Sequence, residues 1–266
     1  MEPSETSRPV SESTAPEARI DLVFEADDTT CAALVLGGFA CVRSVEIRSP
    51  RRIAGAVLVV EVEGHPRTAV RRSLGTLEPG ERIGFEVPGL GIPVHLLHGA
   101  TERRPIAIHA TLEDGDGRVL ATAAHPLSIA PSSHWPGMAQ GSESIAAFVT
   151  PNSPALAPVL RDASRRLAAK TGNGALDGSL SGSAERVQRI AEACYEAVAA
   201  LGIAYVVLQA SFEQSGQKVR TADDVLRDGL ANCLDLSVTV AAVLEAAGLA
   251  PMIVLGDGHS TVGFAT

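Results

Sequence analysis

Residues 19–130 alternate between apolar and polar positions with a period of two. Six stretches of this kind reach strand length, and turn signals at 78–81 and 114–117 lie between them. A period of two places every second side chain on one face of a strand. Six to eight short strands at this spacing favour an antiparallel, immunoglobulin-like β-sandwich. The predicted strands cover residues 20–25, 44–48, 56–63, 82–87, 105–112 and 118–123.

From residue 141 onward the hydrophobic period becomes helical. Ser153 and Pro154 form an N-cap followed by proline at the first helical position, which predicts a helix that runs to about Lys170. Ser183 begins a second predicted helix over 184–200. Short strands are predicted at 203–208 and 251–255, so this part of the chain is an α+β domain. The apolar face of the second helix contains Val187, Ile190, Ala191, Cys194 and Val198.

Local composition divides the chain into four parts. Residues 1–18 are rich in Glu, Ser, Thr and Pro, which bury too little apolar surface to offset the ordering entropy, so we predict a disordered tail. The β-sandwich spans 19–130. Two prolines and a glycine predict a linker at 131–140, in which Trp135 anchors the junction or, less readily, stacks on a ligand. Residues 141–266 form the α+β domain.

Charge and hydropathy limit the function classes. The 266 residues carry a net charge of −9, whereas a duplex-binding module usually has a basic face, so no direct nucleic-acid site is evident. A protein or peptide is the expected partner. Neither an apolar leader nor a run of about 20 apolar residues occurs, which predicts a cytoplasmic protein without a membrane segment. Paired arginines at 51–52, 71–72, 103–104 and 165–166 are interpreted as solvated edges.

The cysteines and histidines show no metal-ligand spacing. Cys31, Cys41, Cys194 and Cys233 are scattered, and no CxxC motif occurs. This pattern indicates neither a disulfide framework nor a zinc site. We therefore expect no metal and no cofactor.

The chemistry of the chain concentrates at Cys233 and His259. Asn232 is a good N-cap, which makes Cys233 the first residue of an apolar helix that ends at Gly248. The dipole and free N–H groups at a helix start favour a thiolate and can hold an oxyanion. His259 follows 26 residues later at the start of a strand. A helix packed on adjacent strands would let the imidazole take the thiol proton.

A second interpretation of this pair stays open. Free cysteine is among the most buried residue types, and a single Cys–His pair is a weak motif. On this interpretation Cys233 belongs to the core and performs no chemistry.

Longer segments around the pair resemble the transglutaminase-like (papain-like) superfamily. The resemblance is closest to the N-terminal region of very large bacterial superfamily-one helicase-like proteins. In those proteins a β-sandwich and a transglutaminase-like segment precede helicase and nuclease-like regions. The similarity covers 20–266 and is specific between 135 and 259. The segments that carry it are 135–138, 147–152, 211–220, 220–236, 244–255 and 258–259.

The resemblance implies that Cys233 is the nucleophile and His259 the general base. The third member, usually an Asp on the strand after the histidine, has no counterpart before Thr266. We therefore expect the domain to be truncated at its C-terminal strands.

Three further polar residues have expected supporting roles. Asp235 lies near the cysteine and orients the start of the helix, together with Asn232. Asp257 serves the turn before the histidine, and Gln217 could donate to an oxyanion. No Walker motif occurs, so any ATPase lies beyond this chain. The resemblance implies downstream helicase or nuclease regions as partners.

Two functions follow from these observations. The first is a cysteine hydrolase or acyltransferase that acts on a peptide or amide bond through a thioester. The second is a non-catalytic platform that docks a protein partner or regulates a downstream helicase or nuclease.

Overall fold

The computed structural model describes residues 19–180, 182–207, 216–256 and 258–266. These residues form fourteen β-strands and six α-helices. The strands are β1 (Asp21–Ala26), β2 (Thr29–Thr30), β3 (Val42–Arg48), β4 (Ile53–Val62), β5 (His65–Leu77), β6 (Arg82–Glu86), β7 (Arg104–Glu113), β8 (Val119–Ile129), β9 (His134–Trp135), β10 (Ala204–Tyr205), β11 (Gln217–Lys218), β12 (Leu230–Ala231), β13 (Pro251–Gly256) and β14 (His259–Phe264). The helices are α1 (Ala32–Leu36), α2 (Val94–Leu97), α3 (Ala157–Thr171), α4 (Ala184–Ala199), α5 (Ala222–Asp228) and α6 (Cys233–Ala246). Three 3₁₀ helices cover Met138–Gln140, Ser142–Phe148 and Pro154–Leu156.

The fold is mixed α/β with several antiparallel sheets, and the chain divides into two compact units. Unit 1 contains the described residues up to 26, together with 42–90 and 107–125. Unit 2 contains 27–41, 91–106 and the described residues from 126 onward. The division differs from the expected boundary after residue 130, because unit 2 also contains 27–41, 91–106 and 126–130.

The segment expected to be a linker contributes to a core. Residues 131–140 contain β9, and Trp135 is fully buried among apolar side chains of unit 2. Burial of a large indole stabilises the folded state, so this segment is held in place by packing. Trp135 is therefore a packing residue. The predicted tail, 1–18, lies outside the described residues.

Unit 1 consists of antiparallel strands with buried side chains at alternate positions. β3 lies between β1 and β6, and β4 lies between β5 and β7. Each of the six predicted strands is present, because the apolar alternation matches the period of a strand. The alternating buried residues include Val45, Ile47, Leu58, Val60, Ile108, Ala110 and Leu112.

The pattern did not predict β5. This strand pairs along β4 but is exposed at most positions and contains Arg67, Arg71 and Arg72. An edge strand with few buried side chains has no clear apolar alternation, which explains why it was missed.

Unit 2 contains the predicted helices. Before α3, the Ser153 hydroxyl accepts a hydrogen bond from the Ala155 N–H at 3.1 Å, and Gly172 ends the helix in the left-handed conformation. The Ser183 hydroxyl likewise accepts from the N–H of Arg186 at the start of α4. All five residues of the predicted apolar face of α4 are buried, so Cys194 is a core residue.

The end of the described chain is a β-hairpin that packs on α6. β13 and β14 pair antiparallel, with Gly256 opposite His259. The strand expected at 203–208 is shorter, since β10 contains only Ala204 and Tyr205, and residue 208 lies outside the described residues. Across the described helices, none has the length and apolarity that a membrane crossing requires.

The packing of unit 2 can be tested at Leu167, which is completely buried where α3 joins the helical core. Leu167→Ala should lower the free energy of unfolding by about 2–5 kcal/mol, because it removes buried methyl groups and leaves a cavity. Urea unfolding measures this change. The matched control is Leu180→Ala, since Leu180 is 90% exposed and should tolerate the same change. Equal decreases in the free energy of unfolding for the two variants would show that Leu167 does not belong to a packed core.

Candidate functional site

A capping box determines where α6 begins. The Asn232 side-chain oxygen accepts a hydrogen bond from the Asp235 N–H at 2.8 Å, and the Asp235 carboxylate accepts from the Asn232 N–H at 3.1 Å. Cys233 is therefore the first residue of the helix, as predicted. N–H groups in this first turn have no carbonyl partner within the helix, so they can bind an anion. Asn232 and Asp235 both serve the helix start.

The carboxylate of Asp235 also holds a preceding segment against α6. It is completely buried and accepts from the Arg220 backbone N–H at 2.8 Å and from the Arg220 guanidinium at 3.0 Å. Three N–H groups thus donate hydrogen bonds to the buried carboxylate, and the guanidinium balances its charge. No pattern of neighbouring residues indicates the role of Arg220, because its partner lies 15 residues further along the chain.

Cys233 and His259 line the same cleft in unit 2. The cleft has a volume of about 310 Å³ and lies among the end of α4, the first two turns of α6 and the start of β14. Cys233 is half-buried and His259 is exposed, whereas the other three cysteines are buried. Within the described part of the chain, no hydrogen bond joins the thiol of Cys233 to the imidazole of His259.

A buried pair of hydroxyls holds the start of β14 beside α6. The side-chain oxygens of Ser237 and Ser260 are 3.1 Å apart, and Ser237 lies one helical turn after Cys233. Successive side chains of a strand point to opposite faces, so His259 points away from the face that carries Ser260. His259 therefore lies at the exposed rim of the cleft.

Tyr205 is a site residue that the sequence analysis missed. It pairs with Ala231 in a two-residue parallel bridge, two positions before Cys233. Its phenol lies beside the Cys233 side chain, and both residues line the cleft. Partial desolvation, and then the hydrogen bond and charge of Cys233, raise the pKa of Tyr205. The phenol therefore stays protonated at neutral pH and can donate to a thiolate. Only the tertiary pairing brings these two residues together.

The structure does not bring the other expected residues to the cleft. Gln217 is 9% exposed and pairs with Trp135 across β9 and β11, and it is not among the residues that line the cleft. Its amide nitrogen has no hydrogen-bond partner among the described residues. Asp257 lies outside them. Where side chains are described, no three His, Cys, Asp or Glu residues are grouped to hold a metal ion.

Comparisons with known proteins add little to this geometry. No protein-family model and no curated protein matches the chain. The solved structure of Spo0M, a sporulation control protein from Bacillus subtilis, is similar at 16% identity with a TM-score of 0.23. The similarity covers 42% of this chain and 49% of Spo0M, so it spans about half of that protein. A TM-score this low supports no argument about fold or function.

The anchoring role of Asp235 predicts a large loss of stability on its neutralisation. Asp235→Asn should lower the free energy of unfolding by about 3–5 kcal/mol, because it leaves the Arg220 guanidinium without its buried counter-charge. Chemical unfolding monitored by circular dichroism measures the loss. Arg189→Ala is the control, since it breaks an exposed ion pair with Glu192 and should change stability by no more than about 1 kcal/mol. An equally small change in the free energy of unfolding for Asp235→Asn would show that the Arg220–Asp235 ion pair does not hold the preceding segment against α6.

The four cysteines should differ in reactivity. Burial raises the pKa of Cys194 to about 12 and, in spite of two backbone hydrogen bonds, also raises the pKa of Cys31. Both are therefore protonated thiols near neutral pH, and both are inaccessible. Iodoacetamide at pH 7.5 should alkylate Cys233 first in the native protein, with the rest following only in denaturant. Peptide mass spectrometry locates the label, and equal native labelling of Cys31 would contradict the assignment.

Proposed function

We propose that the cleft is a thiol-dependent acyl-transfer or hydrolysis site of the transglutaminase-like type. Cys233 is the nucleophile and His259 the general base. The observation that carries the proposal is a half-buried thiol at the first position of a capped helix, in one cleft with an imidazole. In this proposal unit 2 is a transglutaminase-like domain and unit 1 an immunoglobulin-like β-sandwich.

The reaction follows from the groups at the cleft. His259 takes the proton of Cys233, and the thiolate attacks the carbonyl carbon of a peptide, amide or ester. The backbone N–H of Cys233 stabilises the oxyanion that forms. The bond to the leaving group then breaks, and the leaving group departs with the proton held by the imidazole. His259 then takes a proton from a water or an amine that attacks the thioester. The C–S bond breaks, the acyl group leaves, and this proton passes to the Cys233 sulfur to restore the thiol.

Two features of the cleft stabilise the thiolate that forms during the reaction. The positive end of the α6 dipole lies at Cys233, and an anion there is stabilised by about 0.3–1 kcal/mol. The protonated phenol of Tyr205 adds a hydrogen-bond donor to the sulfur. His259 borders the cleft with an exposed side chain, so the proton path requires that side chain to turn toward Cys233.

A second candidate function is a non-catalytic platform. The absence of a Cys233–His259 hydrogen bond among the described residues favours it, as does the orientation of β14 that turns Ser260 toward α6. In this case the two units dock a protein partner.

The proposal extends to the setting of the chain. Residues 135–259 resemble helicase-associated proteins, so we infer that the site acts beside helicase or nuclease regions in the cytoplasm, where thiols remain reduced. Under either function the partner is a protein or peptide.

Substitutions at the cleft separate the two functions. Cys233→Ala should abolish formation of an acyl-enzyme from p-nitrophenyl acetate, and His259→Ala should slow it by about 100-fold or more. Intact-mass spectrometry detects the acyl adduct, and absorbance follows the released nitrophenol.

Matched controls are available for both residues. Cys194→Ala removes a buried core thiol, and His109→Ala removes a half-buried histidine on β7 that does not line the cleft, so both should keep the wild-type acylation rate. If His259→Ala acylates as fast as wild type, the imidazole is not the base. Absence of any adduct on Cys233 in the wild-type chain would favour the platform.

A further inference from the structure

The cleft continues from Cys233 along the surface of α6 as a groove. Leu236, Ser237 and Val240 line it together with Cys233, at the spacing of residues on one helical face. Seven residues of α-helix span about 10 Å. The thiol therefore lies at one end of a groove about two helical turns long.

The wall opposite α6 is also apolar. It contains Val198 and Ala199 from the end of α4, Ile203 from the following loop and Val262 from β14. Ile203, Val240 and Val262 are only partly buried, so their side chains present apolar surface inside the groove. Such surface gains free energy when an apolar ligand group covers it.

The lining carries no permanently charged side chain. Asp, Glu, Lys and Arg make up 20% of the chain, yet none of the described residues that line the cleft is one of them. The polar groups are hydroxyls, the thiol and the imidazole of His259. A charged ligand group would lose its hydration there without gaining a counter-charge. Beyond the start of α6, whose N–H groups can bind an anion, the groove thus discriminates against both signs of charge.

Both tyrosines of the chain lie at this cleft. The chain has only two, Tyr195 and Tyr205, and they are 64% and 57% exposed. Tyrosine offers a large apolar face and a polar tip at low conformational cost, which suits a contact with a ligand. In a chain with 3% aromatic residues, two exposed aromatic rings at one cleft mark a binding surface.

We propose that the groove binds an uncharged, apolar group attached to the carbonyl that Cys233 attacks, and thereby selects the substrate. The chemical step rests on the function proposed above, whereas the selectivity of the groove does not. An apolar amino-acid side chain and a short fatty acyl chain share this chemistry.

The test measures how fast alkyl methanethiosulfonates modify Cys233 in the native chain. These reagents form a mixed disulfide and release methanesulfinate with any accessible thiol, so no catalysis is required. Neutral alkyl, sulfonatoethyl and trimethylammonioethyl reagents are compared, and each rate is divided by the rate with 2-mercaptoethanol. Because the other cysteines are buried, mass spectrometry should find the adduct on Cys233.

The apolar groove predicts a specific order of these normalised rates. The butyl reagent should react at least about tenfold faster than both charged reagents, and each methylene that becomes buried should add up to about fourfold. The net charge of −9 by itself would favour the cation and disfavour the anion. A fast cationic reagent, equal normalised rates, or a thiol inert to all three reagents would overturn the proposal.

A matched pair of variants locates the effect in the groove. Tyr195→Ala should lower the butyl preference about threefold or more, while Tyr195→Phe should keep it, since the apolar ring and not the hydroxyl makes the contact. Tyr195 is exposed, so both variants should fold. An unchanged preference in Tyr195→Ala would exclude this residue from the binding surface and overturn its part in the proposal.

A second arm identifies the source of the apolar group and separates the two proposals. Acyl-enzyme formation is compared for p-nitrophenyl butyrate, p-nitrophenyl succinate and N-acetyl-leucine p-nitrophenyl ester. The butyrate and leucine esters should acylate Cys233 at least about tenfold faster than the succinate, and the faster of the two identifies the source. Acylation without this preference would overturn the proposed selectivity of the groove but not the proposed reaction. A butyl preference without any acylation would support the groove and overturn the proposed reaction.

Discussion

The site depends on the hydrogen bonds that the buried carboxylate of Asp235 accepts. It accepts hydrogen bonds from the backbone of Asn232 and from the backbone and guanidinium of Arg220. A buried charge is tolerated only when it is paired and fully hydrogen-bonded, so these donors must stay in place when the chain folds. The segment that contains Arg220 and the first turn of α6 are thereby held together. The position of Cys233 follows directly, because it lies between Asn232 and Asp235.

Weaker contacts arrange the rest of the cleft around this anchored helix start. The bridge between Tyr205 and Ala231 brings a phenol to the thiol, and the hydroxyls of Ser237 and Ser260 hold β14 against α6. Each contact joins α6, or the residues just before it, to a different element. The exposed imidazole of His259 is the least constrained member. Whether the His259 side chain can turn toward Cys233 decides whether the cleft catalyses a reaction or only binds a ligand. The apolar groove is compatible with either role.

Much of the secondary structure could be predicted because its causes are local. The six predicted strands and the helices α3, α4 and α6 follow from hydrophobic period, and the caps at Ser153, Ser183 and Asn232 follow from side chains within three residues. β5 was missed because an edge strand has little buried surface. The prolines and glycine of 131–140 mark turns, which favours a linker from local sequence alone, whereas Trp135 lies buried in a core.

Local sequence is sufficient to place Cys233 at the start of a capped helix and His259 at the start of a later strand, since capping and alternation act between near neighbours. The residues that surround the thiol are selected by tertiary packing. It placed Tyr205 beside Cys233, paired Arg220 with Asp235, and left Gln217 outside the cleft. It also gathered an uncharged lining from α4, α6 and β14. These relations depend on how distant elements pack, and no pattern of neighbouring residues specifies that packing.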